Sequence, residues 1–209
     1  SFNRLEADDF VVSADSITAG LFTDSQVPTI TTFFTSSNQE DGSSGDYYLN
    51  VFSNAATSSL EFAVTYGNKL GSGSVAYNLS VDGKSPSSTV YGQYRTLVLG
   101  DENADFTFGS ITSSDFWAVS MERNRYKESI FPGSTTLLLR GPDGVVSLTD
   151  NSQVASSVVF NDAGRVFQLV SGSAGTVFTT LESNGYSIDS GSYGLFLPDI
   201  ATYILNPRA

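Results

Sequence analysis

The apolar runs of this chain are short, and serine, threonine and glycine keep stopping them: Ser and Thr together fill 52 of 209 positions and Gly another 19. A helical bundle needs apolar residues sustained at a 3.6-residue period, whereas short runs closely punctuated by turn formers suit antiparallel sheets. The cleanest runs alternate. Leu60, Phe62, Val64 and Tyr66 share one parity, with Glu61 and Thr65 on the other, and Val75, Tyr77, Leu79 and Val81 repeat the arrangement beyond a hairpin-like loop at 68–73. Residues 135–140 and 145–149 flank Gly141-Pro142-Asp143-Gly144, where proline presets φ and glycine supplies a positive one, so a hairpin is expected. Further strands are expected at 116–121, 158–160, 165–170, 176–180, 193–197 and 200–205, with Pro198-Asp199 turning the last pair and 206–209 left as a tail. The expected fold is mainly β, an antiparallel β-sandwich or barrel-like domain.

One stretch departs from this pattern. Val90, Tyr91, Tyr94, Leu97 and Val98 recur at i, i+1, i+4, i+7 and i+8, which predicts one short α-helix at about 87–99. Ser87 or Ser88 can cap its start, and Gly100 stands where a helix takes a left-handed stop. Such a helix is expected to brace the β core, with Val90, Tyr94 and Leu97 inward.

The chain lacks both cysteine and histidine, so disulfides, thiolate nucleophiles, Ser-His-Asp triads and His-metal sites are all excluded. A net charge of −12 repels phosphate backbones, and nucleic acid is not expected as a partner. No apolar run approaches the ~18 residues of a membrane helix, so the reading is a soluble protein made in a cytosol, with no membrane partner.

Charge is unevenly spread. Residues 1–45, with Glu6, Asp8, Asp9, Asp15 and Asp24 against Arg4 alone, form an acidic N-terminal segment or arm ahead of a β-rich domain at 46–209. Strands are expected within it at 10–13 and 29–36, and an exposed loop at 38–45. Arg95, Arg123, Arg125, Tyr126 and Lys127 form a candidate subunit-contact patch, with Arg140 nearby in sequence, and Glu6, Asp8, Asp9 and Asp15 its acidic counter-patch. Opposite potentials of this kind steer the encounter of two copies.

Other constellations fall short of chemistry. Asp101, Asn103 and Asp105 alternate like the first ligands of a calcium loop, but Phe106 stands where glycine is needed and Thr112 where a bidentate Glu is needed. Glu122 has no second carboxylate singled out by spacing, as glycoside cleavage would require. The Gly-Ser loops at 71–74 and 171–175 lack the lysine of a phosphate loop, and the Asn78–Ser80 sequon sits in an expected strand. Tyr47, Tyr48, Tyr91, Tyr94 and Tyr126 are the rings best suited to stack on sugar. No catalytic residue, cofactor or metal is expected.

A resemblance adds to this reading. VYGQYRTLVLG at 90–100, FTFGS at 106–110, FWAVSMERNRYKE at 116–128, PGSTTLLLRG at 132–141 and YGLFLPDIATYILN at 193–206, taken in order, resemble uncharacterised virion structural proteins of T4-like tailed phages, notably those infecting marine cyanobacteria. The resemblance implies a tail, baseplate or neck role in the virion, with other virion structural proteins as partners and homo-oligomeric assembly as a ring or trimer. The alternative is a host-receptor or carbohydrate-binding module on a tail fibre or decoration protein.

Overall fold

The computed structural model describes residues 48–52, 60–71, 86–141, 144–178 and 193–209. The acidic segment 1–45, with its expected strands and loop, and the expected strand at 75–81 lie outside these residues. In chain order the elements are β1 (Tyr48–Phe52), β2 (Leu60–Asn68), α1 (Pro86–Leu99), β3 (Phe106–Phe108), β4 (Ile111–Ser113), β5 (Asp115–Met121), β6 (Leu137–Gly141), β7 (Gly144–Asp150), β8 (Val159–Asn161), β9 (Gly164–Ser173), β10 (Thr176–Val177), β11 (Gly194–Leu197) and β12 (Thr202–Leu205). Among the described residues the fold is mainly β with one α-helix, as the punctuated sequence implies, and the antiparallel sheet curls into a half-barrel.

The main sheet runs β1-β2-β5-β12-β11-β9-β7-β6, with β8 and β10 also paired to β9, while β3 and β4 form a separate hairpin. Two hairpins fall where the turn residues place them. β6 and β7 pair out to Gly141 opposite Gly144, and β11 and β12 pair across the short 3-10 turn Pro198–Ile200. The expected tail starts one residue late, because Asn206 is buried and its N–H donates to the Tyr193 carbonyl at 3.0 Å.

Strand alternation sorts the side chains into two cores. On one face Phe62, Val64, Val119, Met121, Phe196 and Tyr203 join Leu148, Phe167 and Leu169. On the other, Phe116, Ala118, Leu195, Leu197 and Ile204 meet the helix and the Phe106–Phe108 hairpin. The middle strands β5, β12 and β11 are thus covered on both faces. Between β5 and the far edge at β6 the chain crosses the first face, burying Tyr126 and Ile130. Asp150, fully buried at the end of β7, holds this crossing: its carboxylate accepts the Gly133 N–H at 2.8 and 3.0 Å and the Ser152 N–H at 3.1 Å.

The helix corrects two details of the sequence reading. It begins at Pro86, so Ser87 and Ser88 lie inside its first turn and not at the cap; proline suits that first position because its missing N–H would have had no partner there. Gly100 does stop it, at φ +66° with its N–H donated to the Thr96 carbonyl. The buried stripe is Val90, Tyr91 and Val98, with the half-buried Tyr94 between them, whereas Leu97 is 37% exposed. At 3.6 residues per turn Leu97 falls roughly 75° from the centre of that stripe. Leu97→Ala should therefore cost less than about 1 kcal/mol, and Val98→Ala about 2 kcal/mol from two lost methyl groups and the space they leave. Urea midpoints of the two variants check this order, and a larger loss at Leu97 would refute it.

Candidate interaction surface

The basic run follows β5 through the turn Arg123–Arg125, and the structure gives its members different work. The Arg123 guanidinium lies 4.6 Å over the Tyr126 ring and donates to the Tyr126 carbonyl at 2.7 Å. That ring is buried, so it serves the core and offers no stacking surface. Arg125 reaches back to β2 and pairs with the buried Glu61 carboxylate. Lys127 is exposed. Arg95 sits apart on α1, 5.6 Å over Tyr91, with its Nε buried and no hydrogen-bond partner among the described residues. The cations gathered in sequence are therefore divided among an ion pair, two aromatic faces and solvent. The counter-patch Glu6, Asp8, Asp9 and Asp15 lies outside the described residues, as does the Arg140 side chain.

The other candidates serve the fold. Asp101 accepts the N–H of Asn103 at 2.8 Å, closing a turn, and Asp105 pairs with Lys69 at 2.6 Å. Among the described residues no group of three or more His, Cys, Asp or Glu side chains is placed to hold a metal ion, and no helix is long and apolar enough to cross a membrane. Glu122 accepts the Asn124 side-chain amide at 3.3 Å. Tyr91 is buried and donates to the Ser113 carbonyl at 3.1 Å, and Tyr94 shares a 2.9 Å hydrogen bond with Ser120. Tyr47 and the Tyr48 side chain fall outside the described residues. Burial pushes the Tyr203 hydroxyl far above the ordinary tyrosine range, so it stays neutral at the centre of the sheet.

Arg165, at the start of β9, ties that strand to the β11–β12 turn. Its guanidinium meets the Asp199 carboxylate at 2.5 and 3.1 Å, its own N–H donates to the same group at 2.7 Å, and it also reaches the Ser129 hydroxyl at 3.1 Å. These bonds favour the charged carboxylate and hold Asp199 below the usual carboxylate range.

Two surfaces were not singled out by sequence spacing. The first is a half-buried pair, Tyr66 and Trp117, opposite each other on β2 and β5 with ring centres 4.9 Å apart. The Tyr66 hydroxyl donates to Asp115 and accepts from the Asn68 amide, both at 3.1 Å, and Arg208 approaches Asp115 at 3.9 Å. The second is β8 and the segment leading into it. Val154, Val158, Val159 and Phe160 are 63%, 46%, 60% and 70% exposed. Three successive apolar residues predict a strand covered on both faces, and here Val159 and Phe160, which alternate between the faces, are both left exposed. In comparisons with known proteins, no family model matches the chain, and no curated protein or solved structure does either.

Proposed function

We propose that this chain is a structural component of a tailed-phage virion, in its tail, baseplate or neck, acting through repeated protein-protein contacts and not through catalysis. The observation that carries the reading is the open form of the sheet: β1 and β6 end the strand path, and no further strand among the described residues pairs with either. An antiparallel sheet with a core on each face is a stiff scaffold, and edges that no described strand pairs would offer backbone donors and acceptors to neighbours. The ordered resemblance supports the same reading, since its segments fall on α1, β3, β5, β6 and the β11–β12 hairpin, the elements that build or border both cores. Exposed Lys127 and the acidic N-terminal residues would add charge steering between copies in a ring or trimer.

Cross-linking mass spectrometry of intact tailed-phage particles carrying this chain tests the proposal. Cross-links to other copies or to other tail proteins are the expected result; a chain that cross-links to neither would overturn it.

A second reading is carbohydrate recognition, favoured by the Tyr66–Trp117 pair beside Asn68 and Asp115. Aromatic faces pack on sugar C–H surfaces while carboxylate and amide groups bond hydroxyls. Binding on a glycan array that Trp117→Ala abolishes would establish it, and a blank array would remove it.

A further inference from the structure

We propose that β8 is the strand by which two copies of this chain join, edge to edge and antiparallel, with Val158, Val159 and Phe160 of one copy lying across from the same residues of the other. Among the described residues β8 pairs with β9 alone, through Val159 opposite Val166, Phe160 opposite Arg165 and Asn161 opposite Gly164. Its outer edge has no strand beside it among the described residues. Side chains on both of its faces are exposed, so a strand laid along that edge would also bring its own side chains against Val159 on one face and Phe160 on the other.

Free edges in soluble proteins are ordinarily guarded by lysine, proline, a bulge or an inward charge, because an apolar unguarded edge recruits another strand. None of these protects residues 151–161: the sequence NSQVASSVVFN has no charged residue and no proline. That neutrality selects the partner. At a net charge of −12, two copies repel each other over most of their surfaces. A stretch of eleven uncharged residues is where like can approach like at the least Coulomb cost. A strongly basic partner would gain nothing from this surface. Antiparallel edge pairing is also self-complementary, as a two-fold contact requires.

Position in the sheet fixes the exposure. β7 and β8 both pair with β9, but Asp150 lies opposite Leu169 and Val159 opposite Val166. Eight residues of chain between them therefore span only a short step along β9, and the surplus bulges out, carrying Val154 to the surface. Behind β8 the platform is firm, because the Asn161 amide donates to the Val98 carbonyl at the end of α1 and Arg165 is locked to Asp199. Four exposed apolar side chains cover less than the ~800 Å² per partner of a standard interface, so the dimer should be weak, with a dissociation constant in the micromolar range.

This names one partner for the assembly reading above, yet it is tested on the purified full chain alone, so either can fail without the other. Sedimentation velocity from about 1 μM to 1 mM should show a monomer-dimer equilibrium. Val159→Lys and Phe160→Lys should each weaken it at least tenfold while melting at the wild-type temperature, since both side chains are already in solvent. Leu138→Lys, on the equally exposed β6 edge, should leave it unchanged. Amide exchange gives a readout without any variant: Val158–Phe160 should exchange more slowly as the concentration rises. A monomer throughout, a dimer indifferent to both β8 lysines, or one lost to Leu138→Lys would each overturn the proposal.

Discussion

Gly194→Ala is expected to destabilise the protein by about 3–6 kcal/mol, because the new methyl group has nowhere to go. Gly194 holds φ +149°, a conformation that side chains rarely adopt. A Cβ there would stand 2.1 Å from the Ile204 carbonyl oxygen and 3.1 Å from the Leu205 Cα, both backbone atoms of β12. No rotamer can swing out of the way, and β11 cannot retreat, since Gly194 is also paired with Leu169 of β9 on its other side. The loss combines strained backbone with overpacking, and it is a large share of the ~5–15 kcal/mol that holds a domain folded. Gly92→Ala is the control: nothing lies within 4 Å of its Cβ position on the helix, so alanine should stabilise by about 0.5–1 kcal/mol through helix propensity. Urea unfolding followed by circular dichroism measures both, and a loss under about 1 kcal/mol at Gly194 would contradict the close approach.

Phe116→Ala should cost about 4 kcal/mol and loosen the helix with it. This fully buried ring is the hub of the helix-face core, with ring centres 4.9 Å from Phe106 and 5.5 Å from both Tyr91 and Tyr94. Three aromatic neighbours add specific edge and stacking terms to the area buried. The ring also lies over Gly67, its partner on β2, where a Cβ would come within 2.6 Å of the Phe116 ring. Glycine at 67 is therefore the space that the ring fills. Gly67→Ala should harm the wild type and be tolerated in the Phe116→Ala background, giving a coupling of at least ~1 kcal/mol in a double-mutant cycle. Additive effects at the two positions would show that the ring does not occupy that space.

Local rules made part of this architecture legible from sequence. Proline and glycine between two apolar runs mark the β6–β7 turn whatever surrounds it, and alternation from Phe62 to Tyr66 reports one buried face. Spacing reveals the helix but places Leu97 inward, because five apolar residues span more of the helix surface than the sheet covers. Strand order could not be read, since β12 meets β5 by a register set over some 80 intervening residues. The candidate patch illustrates the same limit. Arg123, Arg125 and Lys127 look alike in sequence, while the Tyr126 ring, buried Glu61 and solvent give each a different role. Exposure at Val159 and Phe160 is likewise a property of what fails to pack on them, and no local pattern encodes that.

β12 is the seam of the sheet: on one side it meets β5, β2 and β1, on the other β11, β9, β7 and β6. During synthesis, then, the first three of these strands and α1 emerge long before the strand that joins them to the rest. Until residue 205 has left the ribosome, β5 carries an unpaired apolar edge and Tyr203 is missing from the core beneath it. The half-sheet β1-β2-β5 therefore waits through some 80 residues of synthesis before β12 closes onto it, and that closing step is a long-range strand pairing, a slow kind of folding event. Any lesion at β12 leaves both halves exposed at once.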